Sequence, residues 1–245
     1  MKVVAIIPAA GLGTRMGKPS AESAGTSRKQ FMLLAGAPIL LHTIRKFAAN
    51  GNIAEIIVAI RPEDRAEFEA NLAGEEFSKP VRLAGGGRSR QESVAHALAD
   101  VPPDTDLVAV HDAVRPFVTA AQIDEAIARA NETGAAILGI PAMDTVKQVD
   151  RTRIRATLPR ERIVLAQTPQ VFRFELLKRA FEKAAQEGFT GTDEASLVEH
   201  LGEDVHVVLG SDRNIKITRP SDMALARLFY EEELAAGVSE SAATR

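Results

Sequence analysis

The chain has 245 residues, enough for one α/β domain or two small ones, and its hydrophobic and charged fractions of 45% and 26% are those of an ordinary soluble globular protein. A formal net charge of -3 argues against the basic surface that nucleic-acid binding requires, and the absence of cysteine excludes disulfides, thiolate metal sites and cysteine nucleophiles. The apolar N-terminal run stops at Pro8, and no stretch approaches the roughly 18 apolar residues of a membrane span, so we expect a cytoplasmic protein that binds neither nucleic acid nor membrane.

Short β-branched runs alternate with amphipathic helical patterns along the chain, which is typical of a parallel sheet covered by helices. Strands are predicted over residues 3–7, 55–60, 81–83, 107–110, 135–140, 205–209 and 214–218. Helices are predicted over 38–50, 63–72, 91–98, around 123–130, over 175–186 and 193–201, and after Pro220. We therefore predict a doubly wound α/β domain over residues 1–236, with a mainly parallel sheet and helices on both faces, followed by a disordered tail at 237–245.

The segment 141–170 departs from this alternation. It is polar and rich in Arg and Thr, and it alternates briefly at Val146, Val149 and Ile154. We predict that it forms a protruding β-hairpin, which we call the arm.

The first predicted strand is followed directly by a glycine-rich turn, Pro8-Ala9-Ala10-Gly11-Leu12-Gly13-Thr14-Arg15-Met16-Gly17. Small residues let backbone N–H groups approach an anion there, and clustered N–H dipoles hold phosphates. Gly17-Lys18 is followed by proline, which excludes a P-loop, and Met16 stands where the dinucleotide fingerprint needs its third glycine. With Arg15 inside the turn and Lys29 soon after it, the segment predicts a phosphate site of another kind.

This opening, followed by Lys-Gln at 29–30, resembles nucleotidyltransferases that activate sugars or alcohols with an NTP. Six further motifs narrow the resemblance: Gly-Gly-Arg-Ser-Arg-Gln-Glu-Ser-Val at 86–94, Val-His-Asp-Ala-Val-Arg-Pro-Phe at 110–117, Pro-Ala-Met-Asp-Thr-Val-Lys at 141–147, Gln-Thr-Pro-Gln-Val-Phe at 167–172, Thr-Asp-Glu-Ala-Ser at 192–196 and Asn-Ile-Lys-Ile-Thr at 214–218. Together, from about residue 3 to residue 223, they are similar to the 2-C-methyl-D-erythritol 4-phosphate cytidylyltransferase family of the non-mevalonate isoprenoid pathway.

The resemblance implies that the phosphate of a polyol attacks the α-phosphorus of CTP and that pyrophosphate leaves. A phosphate monoester is already mostly dianionic at neutral pH, so it needs no general base. It needs charge neutralisation, which fixed cations and Mg²⁺ supply. By this resemblance, Arg15 and Lys29 stabilise the transition state, and Arg160 and Lys216 position the attacking phosphate.

The same resemblance assigns the remaining site residues. Ala9, Ala10 and Gly11 would line the CTP loop, with Gly87 and Ser93 near the cytidine. Asp112 would lie at the end of its strand, close to Mg²⁺ and substrate. Arg115, Thr145 and Thr168 would hold the methylerythritol phosphate together with Arg160 and Lys216. In family members the arm crosses a twofold axis, so the resemblance also implies a homodimer in which Thr145 and Arg160 serve the partner's site.

One residue departs from the family pattern, because Arg28 stands where a proline usually precedes the Lys-Gln pair. Three alternatives stay open at this point. A ribitol 5-phosphate cytidylyltransferase would share the chemistry with another polyol, although the arm favours methylerythritol phosphate. A hexose-phosphate nucleotidyltransferase using UTP or dTTP fits the Ser93 and Asp112 motifs less well. A regulatory module that binds nucleotide without catalysis is the third, and Arg28 is the feature that supports it. His111 shows no metal-ligand spacing and is expected to be structural.

Overall fold

The computed structural model describes residues 1–11 and 28–243, with side chains described up to residue 236. The strands of this part are β1 Val3–Pro8, β2 Leu33–Leu34, β3 Ala37–Pro38, β4 Ile53–Ile60, β5 Val81–Gly85, β6 Leu107–Val110, β7 Ala135–Pro141, β8 Val146–Asp150, β9 Arg153–Leu158, β10 Val164–Arg173 and β11 His206–Leu209. Its α-helices are α1 Ile39–Ala49, α2 Pro62–Leu72, α3 Arg90–Ala99, α4 Ala120–Thr133, α5 Phe174–Glu187, α6 Glu194–Leu201 and α7 Pro220–Ala243, and short 3-10 helices cover Lys29–Phe31 and Arg160–Arg162.

A seven-stranded sheet forms the centre of the fold, in the order β11-β7-β10-β6-β1-β4-β5. Its neighbouring strands are parallel except at β10, which runs antiparallel to both β6 and β7. The prediction of a mainly parallel α/β sheet is therefore confirmed. Among the described residues, no helix is long and apolar enough to cross a membrane.

Helices cover both faces of this sheet, as β1 illustrates. Because side chains alternate along a strand, Val3, Ala5 and Ile7 pack into one cluster with α1, α2 and α4. Val4 and Ile6 pack into another cluster with α3, α5 and α6. A strand that is buried on both faces needs an unbroken apolar run, and this explains why β1 is the clearest strand in the sequence.

Strand β10 corrects the predicted extent of the arm. We assigned residues 141–170 to the arm, yet β10 lies in the middle of the central sheet, and its Val171 and Phe172 are fully buried. The hairpin itself is formed by β8 and β9, which pair only with each other in the described part of the chain and are mostly exposed. The apolar pattern of the sequence did not predict this strand, because the polar run Gln-Thr-Pro-Gln interrupts it.

Residues 214–218 are the second correction, because they form no strand. Their backbone bonds instead to the loop after β6: the Ile217 N–H donates to the Val114 carbonyl at 2.9 Å, and Arg115 Nη1 donates to the Asn214 carbonyl at 2.6 Å. Ile217 is fully buried. The β-branched residues of this segment are therefore explained by packing under α7, and not by pairing in a sheet.

The C-terminal helix is longer than predicted. Pro220 opens α7 as expected, but the helix continues to Ala243, whereas we predicted disorder from Gly237. Alanine and glutamate in this stretch favour the helical backbone and outweigh the single glycine. Residues 244–245 of the predicted tail lie outside the described residues.

Candidate active site

A cleft of about 410 Å³ opens at the carboxyl ends of β1 and β6, where open α/β sheets bind their ligands. Its lining comes from the turn after β1, the 3-10 helix at Lys29–Phe31, the loop between β5 and α3, and the loop after β6. The described lining residues are Pro8, Ala9, Ala10, Gly11, Lys29, Gln30, Arg61, Gly87, Arg88, Ser89, Arg90, Ser93, Asp112, Ala113, Val114 and Lys216.

Gln30 holds the turn after β1 in place. Its side-chain amide donates to the Ala9 carbonyl at 2.7 Å and to the Gly11 carbonyl at 2.9 Å, and only 2% of the residue is exposed. The Ala9 N–H donates in turn to the Ala59 carbonyl of β4 at 2.8 Å. Gln30 is the second residue of the Lys-Gln pair, but no role for it could be predicted from the sequence.

The loop between β5 and α3 packs tightly against this turn. A Cβ atom on Gly86 would lie 2.3 Å from the Cβ of Ala10, so only glycine allows the two backbones to approach this closely. The Gly87 N–H donates to Ser93 Oγ at 3.0 Å, and the Ser93 hydroxyl donates to the Ser89 carbonyl at 2.7 Å. Ser93 thus fixes the shape of the loop, and its hydroxyl is already used within the protein.

Asp112, in the loop just after β6, is surrounded by three cations. Its Oδ1 lies 3.2 Å from Arg90 Nε, and its Oδ2 lies 3.3 Å from Arg115 Nε and 2.8 Å from Lys216 Nζ. Burial alone would raise the pKa of Asp112, but the charges of Arg90, Lys216 and Arg115 hold it well below its ordinary value. The carboxylate therefore stays ionised and is a poor proton acceptor.

Arg90 links this cluster to α6, a connection that the sequence analysis missed. Its Nη1 lies 2.6 Å from Oε1 of Glu194, a residue that is 1% exposed. Burial raises the pKa of the Glu194 carboxyl, and the Arg90 charge opposes that rise. Both residues lie in motifs that carried the resemblance, but their pairing depends on tertiary structure.

His111 has a structural role, as we expected. The ring is fully buried and 4.8 Å from the Phe47 ring. Burial lowers the pKa of His111 to about 4, so the imidazole is neutral. Its Nε2–H then donates to the Arg115 carbonyl at 3.0 Å, and its Nδ1 accepts from Thr168 Oγ1 at 3.1 Å. The same Thr168 oxygen accepts the Asp112 N–H at 3.0 Å, so this chain of hydrogen bonds fixes the backbone at Asp112.

The predicted site residues that the structure describes fall into three groups. Those that line the cleft are Ala9, Ala10, Gly11, Lys29, Gly87, Ser93, Asp112 and Lys216. Arg115 and Thr168 line an adjoining pocket of about 200 Å³ that shares Arg90, Asp112 and Lys216 with the cleft. Thr145 and Arg160 line neither space in their own chain; Arg160 Nη1 donates to the Met143 carbonyl at 2.7 Å. Arg15 lies outside the described residues, and its role stays a prediction.

Asp112 is the residue of the cleft that could bind a divalent metal ion. Within the described part of the chain, no group of three or more His, Cys, Asp or Glu side chains is placed to hold a metal ion. Mg²⁺, however, is often bound by one or two carboxylates together with substrate phosphates and water. Because an ionised carboxylate has about four acceptor positions, Asp112 can accept a metal beside its three cations. The residues present therefore fit a metal that is held largely by the substrate.

Comparison with known proteins gives a consistent result. The family model described as 2-C-methyl-D-erythritol 4-phosphate cytidylyltransferase matches residues 3–232. A protein of that name from Solibacter usitatus is 60% identical over 240 residues, which cover 96% of this chain and 98% of the relative. Two solved structures are also similar. The 4-diphosphocytidyl-2C-methyl-D-erythritol synthase of Anaerococcus prevotii has a TM-score of 0.81 at 29% identity, covering 94% and 96% of the two chains. The 2-C-methyl-D-erythritol 4-phosphate cytidylyltransferase of Francisella tularensis has a TM-score of 0.77 at 35% identity, covering 93% and 99%.

Proposed function

The chain belongs to the 2-C-methyl-D-erythritol 4-phosphate cytidylyltransferase family, and from that premise we propose how its residues carry out the reaction. It is a nucleotidyltransferase that transfers a cytidylyl group from CTP to 2-C-methyl-D-erythritol 4-phosphate. The products are 4-diphosphocytidyl-2-C-methyl-D-erythritol, an isoprenoid precursor, and pyrophosphate. One observation supports our residue assignment above all others: Asp112 and two of its three cations, Arg90 and Lys216, line the same cleft as the turn after β1.

We assign the CTP phosphates to the turn after β1. Ala9, Ala10 and Gly11 present backbone there, and Lys29 borders the same space. Gly87 and Ser93 line the same cleft, and we assign the reading of the cytosine edge to the backbone groups of their loop. Among the described lining residues, five are cationic and one is a carboxylate, a balance that suits a bound polyphosphate.

The polyol phosphate binds in the adjoining pocket, which Arg115 and Thr168 line. Lys216 borders both spaces, so its ammonium group stands between donor and acceptor phosphates. The acceptor attacks as a dianion, with no proton to remove, and the bond from the α-phosphorus to pyrophosphate breaks. Lys29, Lys216 and Arg15 stabilise the charge that gathers on the α-phosphoryl oxygens, where one preorganised donor contributes about 3 kcal/mol.

Nucleotidyltransferases of this family are generally metal-dependent. We propose that the metal is Mg²⁺ and that Asp112 is its protein ligand. When bound, Mg²⁺ neutralises phosphate charge and orients the triphosphate. The three cations around Asp112 keep its carboxylate ionised and aimed into the cleft.

We also propose a homodimer in the cytoplasm, formed from one domain over residues 1–236 with exchange of the arm. Large apolar side chains on the arm are exposed in the single chain: Met143 is 77% exposed, Val149 59% and Ile154 64%. Val149 and Ile154 are cross-strand partners in the hairpin, and exposed apolar patches commonly mark protein contacts. Thr145 and Arg160 would then enter the partner's site, which agrees with their position outside the cleft of their own chain.

The test is pyrophosphate release with Mg²⁺, in which CTP, UTP and ATP are each offered with methylerythritol 4-phosphate or ribitol 5-phosphate. We expect pyrophosphate release with CTP and methylerythritol phosphate. EDTA should abolish this release, because it removes the metal. Release with ribitol phosphate in its place would overturn the acceptor assignment. No release from any pair, despite CTP binding, would overturn the catalytic role.

A further inference from the structure

Arg28, which replaces the usual proline, is anchored outside the cleft. Its guanidinium forms an ion pair with the Asp64 carboxylate through Nη1 and Oδ1, and its Nη2 lies 3.8 Å from Oε1 of Glu63. Both carboxylates belong to the first turn of α2. Arg28 is absent from the described lining of the cleft, whereas its neighbour Lys29 is part of it. The two adjacent cations therefore lie in different environments.

The carboxylate that receives Arg28 is buried. Asp64 is 8% exposed, and its Oδ2 has no hydrogen-bond partner within the described residues. A buried carboxylate needs a partner charge to offset the loss of hydration, and Arg28 supplies that charge. The pair thus fastens the backbone just before the 3-10 helix to the start of α2.

The rest of the 3-10 helix is fixed on both sides. Gln30 donates to the turn after β1, and the Phe31 ring lies 5.9 Å from that of Phe68 in α2. Lys29 projects into the cleft from between these anchors. Its position therefore depends on how firmly the chain is held at residue 28.

Arg28 has φ −86° and ψ 109°, an extended conformation close to the one that proline adopts. Proline holds such a backbone through its ring. An arginine has no such constraint of its own, and here an ion pair to a buried carboxylate restrains it instead.

We propose that Arg28 is a positioning residue for the reaction, in which its ion pair with Asp64 holds Lys29 at the CTP phosphates. The inference rests on the proposed role of Lys29. It also explains how the chain keeps the family's activity without the proline.

The experiment compares Arg28→Ala, Arg28→Pro, Asp64→Asn and the double variant Arg28→Ala/Asp64→Asn in steady-state kinetics and thermal unfolding. Arg65→Ala is the matched control, because it removes an arginine from an exposed ion pair with Glu69 on the same helix. We expect Arg28→Ala and Asp64→Asn each to lower kcat about 10- to 100-fold, as small displacements of a catalytic group do. The KM for methylerythritol phosphate should be unchanged, and the double variant should be no worse than either single one.

Arg28→Pro distinguishes positioning from direct phosphate binding. We expect it to retain most of the wild-type kcat, and to restore activity when added to Asp64→Asn. If Arg28 bound CTP itself, both Arg28 variants would raise the KM for CTP equally and Asp64→Asn would be fully active, which would overturn the proposal. If Arg28→Ala fails to fold, the recovery of Asp64→Asn by Arg28→Pro decides the matter. Failure of the proposed function is separate, because it would appear as no pyrophosphate release by the wild type.

Discussion

The Nζ of Lys216 lies 2.8 Å from the Oδ2 of Asp112, although the two residues come from distant parts of the chain. Asp112 lies in the loop that follows β6, and Lys216 belongs to the segment between β11 and α7. Both residues line the cleft and the adjoining pocket, so their contact brings a cation to the place where we propose that the two phosphates meet.

Removal of the Lys216 charge should slow the chemical step more than it weakens the fold. We expect Lys216→Met to lower kcat about 10²- to 10³-fold, the loss typical of one preorganised donor. Thermal stability should change little, because about a third of the lysine side chain is exposed. Lys178→Met on the exposed face of α5 is the control. A variant with normal kcat would contradict the role of Lys216.

Gln30 should matter for CTP binding. Gln30→Met removes the donors to the Ala9 and Gly11 carbonyls, which we expect to cost about 1–3 kcal/mol of stability and to raise the KM for CTP. Thermal unfolding and CTP titration measure the two effects. Gln186→Met, at an exposed position of α5, should change neither. An unchanged KM for CTP in Gln30→Met would show that the turn does not depend on this side chain.

The buried His42 should make stability depend on pH. Burial lowers the pKa of His42 below its ordinary 6.5, and the nearby charges of Arg45 and Lys46 lower it further, against the hydrogen bond between Nε2 and the Leu34 carbonyl. Tyr230 packs edge-on against the ring. As the pH falls, the unfolded chain therefore binds a proton on His42 before the folded chain does, so the free energy of unfolding decreases as the pH drops through about 6.5 towards the lower pKa of the folded state.

Urea unfolding of wild type and His42→Gln at about pH 7.5 and about pH 5.5 measures this effect. We expect the wild type to lose up to about 1.4 kcal/mol more than the variant over this interval. Identical losses in the two proteins would mean that His42 titrates alike in the folded and unfolded states.

Exchange of the arm predicts complementation between inactive variants. Lys29→Ala and Arg160→Ala should each be inactive alone, because each removes one component from every site. When subunits are mixed and allowed to exchange, half of the dimers carry one intact site, so we expect about a quarter of wild-type activity to return. Two Arg160→Ala preparations mixed in the same way are the control. No recovery after verified exchange would contradict a site shared between subunits.

The parts of the fold that the sequence predicted are those with unbroken apolar runs. β1 and β6 are buried on both faces, and their ends place Ala9, Gly11 and Asp112 at one edge of the sheet. β10 escaped prediction because a polar run interrupts it and because pairing with β6 and β7 outweighs its composition. For residues 214–218 a strand was predicted and none forms, because this segment is buried without pairing in a sheet.

Residues that line the cleft were predictable where a motif carried the family resemblance, as at Lys29, Asp112 and Lys216, and their roles in the reaction stay predictions. The contacts that orient these side chains could not be predicted, because they join residues that are far apart in the sequence. Arg90 reaches Glu194 across the fold, and Gln30 reaches back to the turn after β1. Arg28 was recognised only as a departure, and its partner Asp64 follows from the packing of α2.

The most direct test of the central claim, charge stabilisation at the cleft without a general base, is pyrophosphate release by Lys29→Ala beside wild type and the surface control Lys178→Ala. With CTP, methylerythritol phosphate and Mg²⁺, we expect both wild type and control to release pyrophosphate. Lys29→Ala should still bind CTP but turn over at least about 100-fold more slowly. Turnover by Lys29→Ala at the wild-type rate would contradict the claim.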